Sequence, residues 1–270
     1  MEREQLILWL AITAYVIAGV VAIFGVVLGK KPERTVLGLI WLGLLLHATA
    51  ITLRWVRLDH GPYLTMFEIL SSNIFSLLLF FSLVYWRYKP IRPTAAIVLP
   101  LLFIMMGWML LSSPGEGYLP PTYDTTWLVI HIMFGKVFLG ATLVAVGMAG
   151  VILLRHYNIA AARFARLPAD SRLDDLAYRF MALALIFDSL MLISGAIWAQ
   201  DAWGRYWAWD PLETWSFITW LALAVALHLR VTYKPSSLRG AVMIMAVFVL
   251  AFLTFFGIPF ISTVPHQGAV

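Results

Sequence analysis

The chain has 270 residues, 62% of them hydrophobic and 12% charged, with a formal net charge of +5 and a mean hydropathy of +0.87. A soluble domain carries about 25% charged residues, so a chain this apolar has too little polar surface to cover itself in water and reads as a polytopic membrane protein. That excludes a secreted domain, a disordered chain and a nucleic-acid binder. The absence of cysteine excludes a disulfide, a thiolate metal site or a thiol relay of its own.

Eight apolar stretches, near 6–28, 35–53, 64–86, 94–112, 126–154, 177–199, 212–233 and 240–262, each approach the roughly 20 residues a helix needs to cross a bilayer. The first lacks the basic start, short apolar core and small-residue cleavage site of a signal peptide and is read as a retained span. The fifth is long enough to tilt or to project past the membrane. The expected fold is all-α, a polytopic helix bundle filling residues 1–270 as one integral membrane domain.

The connecting loops sort by basic residues. The loops at 29–34, 87–93 and 230–239, with the segment 155–179, hold 14 of the 19 Lys and Arg residues, against Arg3, Arg54, Arg57 and Arg205 on the opposite side. Cytoplasmic loops are the basic ones, so both termini and the loops 54–63, 113–125 and 200–211 are expected outside. The polar stretch at about 155–176 is expected to be cytoplasmic, with a short helix and a solvated charged face.

Between spans six and seven runs Trp198-Ala-Gln-Asp-Ala-Trp-Gly-Arg-Tyr-Trp-Ala-Trp-Asp-Pro-Leu-Glu-Thr-Trp215, an external loop at about 198–215 with five tryptophans and one tyrosine in 18 residues. An aromatic belt at the membrane interface accounts for one or two of them. Five around Gly204 make a large, rigid, flat apolar platform, which suits a planar aromatic ligand such as a porphyrin. Both readings stand on density alone. Asp210-Pro211-Leu212-Glu213 reads as a helix start, with Asp210 as N-cap, Pro211 at the first helical position and Glu213 as the third-position partner. Arg205 suits a propionate or a lipid phosphate.

Of the six histidines, His131 lies about two turns into span five from its external end, and His266 lies just beyond span eight. Both share the expected depth of the tryptophan loop. Neutral imidazole is a common axial ligand to haem iron, so the two are either a ligand pair or a pair of interfacial histidines. His228 is an ionisable group within a span, near the cytoplasmic end of span seven, and such groups are functional candidates because burying them is costly. His47 reads as a hydrogen-bonded structural residue, and His60 and His156 as solvated ones.

Trp203-Gly-Arg-Tyr-Trp-Ala-Trp-Asp-Pro-Leu-Glu-Thr-Trp-Ser216 resembles the tryptophan-rich WWD signature of haem-handling proteins in cytochrome c assembly. The continuation to His228-Leu-Arg230 and the early stretch Gly61-Pro-Tyr-Leu-Thr-Met-Phe-Glu-Ile-Leu70 resemble the CcsA (ResC) family of the System II pathway. The resemblance runs from span two to the C terminus, although the family's closing His-Ser-Tyr stands here as His266-Gln-Gly. It implies that the WWD loop holds haem b on the outer face, with Trp203, Trp207 and Trp209 against the ring and Arg205 and Asp210 nearby. It further implies that His131 and His266 ligate the iron and that His228 ligates haem at an inner site. A CcsB (ResB) type membrane subunit is the expected partner. Apocytochrome c with a Cys-x-x-Cys-His peptide is the expected client, kept reduced by thiol-reducing proteins. The bacterial cytoplasmic membrane is the expected location. The implied function is haem delivery and thioether attachment as part of a holocytochrome c synthase.

Three other classes remain open to the sequence. They are a haem transporter or chaperone of the CcmC type without attachment activity, a cytochrome b-like electron carrier, and a transporter with an aromatic external gate. The electron carrier needs paired histidines at matching depths in spanning helices, and His47 and His228 differ in depth.

Overall fold

The structure is a computed structural model that describes residues 2–159, 161–165 and 167–258. His266, Arg166 and the last four residues of the eighth expected span lie outside the described residues. The protein is all-helical: α1 Glu2–Val27, α2 Glu33–Leu58, α3 Met66–Arg87, α4 Ala95–Leu111, α5 Thr126–His156, α6 Asp170–Trp203, α7 Pro211–Tyr233 and α8 Ser237–Phe252. Short 3-10 turns cover Lys89–Thr94 and Ala161–Phe164, and a π-helical turn, Leu253–Gly257, follows α8. Among the described residues, eight helices are long and apolar enough to cross a membrane, and the chain is a multi-pass membrane protein.

The helices exceed the apolar runs where polar residues have partners. α2 continues through Arg54 and Arg57 to Leu58, because both guanidiniums are matched by carboxylates (below). α6 takes in Asp170–Asp175 at its start and Trp198–Trp203 at its end, so the first third of the aromatic stretch is helix.

The chain packs as two compact units, residues 1–119 with 154–169, and residues 120–153 with 170–270. In the first unit α1 packs on α2, α2 on α3, α3 on α4 and α4 on α1, which closes a ring of four helices. α1 and α2 approach closely because Gly43 leaves room for the Tyr15 ring, which any Cβ there would strike. Buried Tyr15 Oη pairs with His47 Nδ1 at 3.4 Å, and His47 Nε2 pairs with Ser71 Oγ at 2.9 Å. His47 thus ties α1, α2 and α3 together.

A buried ion network closes one end of this unit. Arg54 Nε donates to Glu68 Oε1 at 2.8 Å, and its other nitrogens donate to the carbonyls of Pro114 and Gly115 at 3.1 and 2.6 Å. Arg57 pairs with Glu4 and Glu116 at 2.7 and 2.6 Å. Glu68 also completes a capping box with Thr65 at the start of α3. The Leu64–Glu68 part of the early family-like stretch is therefore a helix start locked to α2.

In the second unit α6, α7 and α8 pack on one another. α5 joins them through Phe134 on Phe187 of α6 and Phe138 on Phe255 of the π turn. Thr219 Oγ1 meets Thr254 Oγ1 at 2.8 Å. Arg230 of α7 pairs with Asp174 and Asp175 of α6 at 2.8 and 2.6 Å and lies over the Tyr178 ring.

Candidate functional site

The site is built in the second unit, where α6 gives way to the aromatic loop. α6 ends at Trp203, and Gly204 turns the chain with φ +73°. α7 starts as expected: Asp210 is extended and its Oδ1 accepts the Glu213 amide N–H at 2.8 Å, with Pro211 at the first helical position. Glu213 departs from the expected capping box. Its Oε2 accepts the amide of Ala208 at 2.7 Å, two residues before the cap. Thr214 Oγ1 donates to the Trp209 carbonyl at 3.2 Å. The acidic residues of the signature thus fold the loop back over the first turn of α7.

This clamp holds Trp209 at φ +60°. A left-handed conformation costs a residue with a Cβ about 1–2 kcal/mol, and such strain persists only where the surroundings over-determine it. It aims the Trp209 indole outward, 65% exposed. Trp209 meets Trp207 edge-on at 5.6 Å, both meet Phe217 edge-on, and Phe217 stacks on Trp220 at 5.9 Å and 9°. With Ser189, Leu192, Ile193 and Ala196 of α6 these rings line an open groove of about 460 Å³. Ser189 Oγ accepts the Trp220 indole N–H at 2.8 Å, so the lining is apolar in effect. The Trp207 indole N–H is buried and has no hydrogen-bond partner among the described residues.

A second aromatic group forms around His131 in the second turn of α5. Its Nδ1 donates to the carbonyl of Met191 on α6 at 2.8 Å. In a neutral imidazole that places the basic lone pair on Nε2. The ring stacks on Trp198 at 6.2 Å and 15°. Gly195 makes this possible, since a Cβ there would lie 2.7 Å from His131 Nδ1. Trp203 belongs to this group: its Nε1 donates to Tyr123 Oη at 2.9 Å, and Trp198 Nε1 donates to the Tyr123 carbonyl at 3.1 Å.

The expected site residues therefore divide. Trp207 and Trp209 share the groove, whereas Trp203 packs with Tyr123, Trp198 and His131. Met191 and Gly195 of α6 face His131, and Leu192 and Ala196, one residue further round, line the groove, so α6 joins the two groups. Asp210 is engaged as the helix cap. Arg205 is exposed on the loop beside Gly204. His228 lies on the exposed side of α7, between Val225 and Val231, with Thr232 Oγ1 3.5 Å from its Nε2. Sequence reasoning did not single out Tyr123, Gly195, Phe217 and Trp220. The spacing of Phe217 and Trp220, three apart on α7 just past the signature, is the signal that could have added those two.

The groove fits a flat, conjugated ring: its walls are aromatic and its one hydroxyl is occupied. The imidazole oriented through Nδ1 fits an iron ligand, because a second hydrogen bond is what fixes the tautomer and direction of ligating histidines. Among the described residues no three His, Asp or Glu side chains gather as a metal cluster.

Residues 39–266 match the family described as "Cytochrome C assembly protein". The chain is 28% identical over 239 residues to the cytochrome c biogenesis protein CcsA of Guillardia theta, covering 79% of this chain and 78% of that one. It is 28% identical over 269 residues to the CcsA protein of Prochlorococcus marinus strain MIT 9301, covering 90% and 87%. Among solved structures it shares its fold with the cytochrome c haem lyase CcmF, with a TM-score of 0.70 at 19% identity, covering 94% of this chain and 46% of that one. The chain thus spans about half the length of that larger protein. The chain belongs to the cytochrome c assembly protein family, and the relatives it matches are CcsA proteins.

Proposed function

We propose that this protein is the haem-handling subunit of a System II cytochrome c synthase, which takes haem b to the outer membrane face and presents it for thioether attachment to apocytochrome c. The observation that carries the reading is the strained, clamped Trp209 beside Trp207 over an aromatic groove, joined through α6 to an oriented His131. Preorganised walls of this kind lower the barrier by positioning, which supplies roughly 7–11 kcal/mol in favourable cases.

In this reading Trp207 and Trp209 hold one edge of the porphyrin. His131 binds the iron through Nε2, with the Met191 carbonyl fixing the ring. His266 is the proposed second ligand, and Arg205 faces a propionate. Trp203 acts one layer back, by bracing Tyr123 and Trp198 behind His131. Haem as substrate supplies the vinyl groups: each client S–H adds across a vinyl C=C, the sulfur bonding one carbon and the proton the other, with no net oxidation. No residue of this chain acts as nucleophile, in keeping with its lack of cysteine. Thiol-reducing proteins keep the client's Cys-x-x-Cys-His cysteines available.

His228 is the proposed ligand of an inner site. Its place on an outward apolar face of α7 beside exposed Leu221, Val225 and Val231 suits a face covered by another membrane subunit, of the CcsB (ResB) type. The protein is assigned to the bacterial cytoplasmic membrane with the tryptophan loop outside, on the charge asymmetry of the loops.

The test is to purify the chain alone and with its presumed partner and to record visible spectra with and without dithionite. A bis-histidine haem spectrum weakened by His131→Ala and Trp207→Ala, with thioether formation on co-expressed apocytochrome c, is the expected result. Haem binding and release without attachment in the presence of the partner assigns a chaperone of the CcmC type. Colourless preparations after haem addition overturn the haem reading.

A further inference from the structure

One cavity in the first unit has no part in this function. It measures about 480 Å³ and lies where the turn between α1 and α2, the 3-10 turn before α4 and the residues Ala162–Phe164 and Leu167 converge. Gly29, with φ +67°, turns the chain out of α1 there. The segment is drawn in by Arg155, whose guanidinium donates to the carbonyls of Phe164, Leu167 and Pro168 at 2.6, 2.9 and 2.7 Å. Phe164 and Leu167 are buried in consequence while Arg163 stays exposed, so the segment is a flap anchored by two apolar side chains.

The rim of this cavity is cationic. Lys30, Lys31, Lys89 and Arg163 line it, and none has a carboxylate partner among the described residues. Arg92 adds a fifth charge. It is held over the Tyr85 ring by bonds to the Tyr85 and Trp86 carbonyls. Glu33 is the one acidic lining residue, 3.8 Å from Arg92. The inner wall is apolar, with Ala22, Val26, Val36 and Leu167. The cavity sits at the ends of spanning helices, at the level of the membrane boundary.

We infer that this cavity binds the phosphate headgroup of an anionic phospholipid, with the cations on the phosphate and the start of an acyl chain against the apolar wall. Basic pockets among transmembrane helices at the membrane surface recognise such headgroups. Several unpaired cations around one enclosed volume repel one another, and a phosphate relieves that repulsion. A porphyrin dicarboxylate would also satisfy the charge, but the lining has no His, Met or Cys to meet its iron and no stacked aromatic wall. The flap links the site to the chain's own order, because headgroup binding holds Arg163 against the turn after α1.

The test uses the full chain in neutral detergent, with binding followed by native mass spectrometry and by the shift in melting temperature. Short-chain phosphatidylglycerol is expected to bind saturably and raise the melting temperature, and phosphatidylcholine to do neither. Lys30→Gln with Arg163→Gln is expected to weaken phosphatidylglycerol by about 25-fold, roughly fivefold per cation. The equal charge loss Lys234→Gln with Arg239→Gln leaves it unchanged. Equal weakening by both pairs, or equal binding of the two lipids, overturns the inference. Inorganic phosphate binding as tightly as the lipid makes the ligand a free anion and overturns the lipid assignment. Displacement of the lipid by metal-free mesoporphyrin at comparable concentration assigns the cavity to the haem substrate instead. None of these outcomes depends on the His131 spectra, so the two proposals fail separately.

Discussion

His131 Nδ1 donates to the Met191 carbonyl at 2.8 Å across the α5–α6 contact, and Gly195 leaves the imidazole room to lie there, since a Cβ on it would stand 2.7 Å from that nitrogen. Sequence places His131 at a depth; this contact gives it a direction and a tautomer.

Gly195→Ala is therefore expected to push the imidazole off its carbonyl. Alanine favours the helix by about 1 kcal/mol over glycine, so the melting temperature holds or rises. Haem affinity falls by about 10–100-fold, the usual effect of losing the group that orients a ligating histidine. Haem titration alongside a thermal melt checks both halves, and a parallel fall in stability and affinity would refute the positioning role.

Trp209 sits in left-handed backbone with most of its indole exposed. Trp209→Gly relieves the strain, and Trp209→Ala retains it. The glycine variant is expected to be more stable than the alanine variant by about 1 kcal/mol, while both lose haem retention alike. Denaturation of the two variants, with haem content measured on each, separates backbone from side chain.

Asp210 caps α7 through its Oδ1. Asparagine keeps that acceptor and alanine removes it, at a cost of about 1 kcal/mol. Asp210→Asn is expected to retain haem and Asp210→Ala to lose it together with the loop. If Asp210→Asn alone abolishes haem binding, the carboxylate touches the substrate and the cap is not its main role.

Arg54 is buried against Glu68 and Glu4. Arg54→Ala leaves Glu68 without its cation while Glu4 keeps Arg57, and removing one partner of a buried pair costs about 3–5 kcal/mol. Melting of the detergent-solubilised protein should show the loss, with the first unit's helices the first to exchange amide hydrogens.

Asp188 of α6 is 1% exposed, and among the described residues neither of its carboxylate oxygens has a hydrogen-bond partner. An unsatisfied buried polar group costs about 1–3 kcal/mol, so Asp188→Leu is expected to raise the melting temperature without changing the haem spectrum. A variant that is more stable but haem-free would assign this carboxyl a part in haem handling.

Hydropathy, loop charge and the helix-start chemistry of Asp210-Pro211-Leu212-Glu213 were enough to read eight spanning helices and the cap of α7, because these depend on residues within a turn or two of one another. The tryptophan signature was legible for the same reason: it is contiguous. The sequence could not say that Trp203 parts from Trp207 and Trp209, since the end of α6 at Trp203 and the turn at Gly204 decide which way each indole points. It could not show that Phe217 and Trp220 complete the groove, that Gly195 aims His131, or that Arg155 draws Phe164 and Leu167 in beside a basic cavity. Those are contacts between residues distant in the chain, and their partners are chosen only when the helices pack.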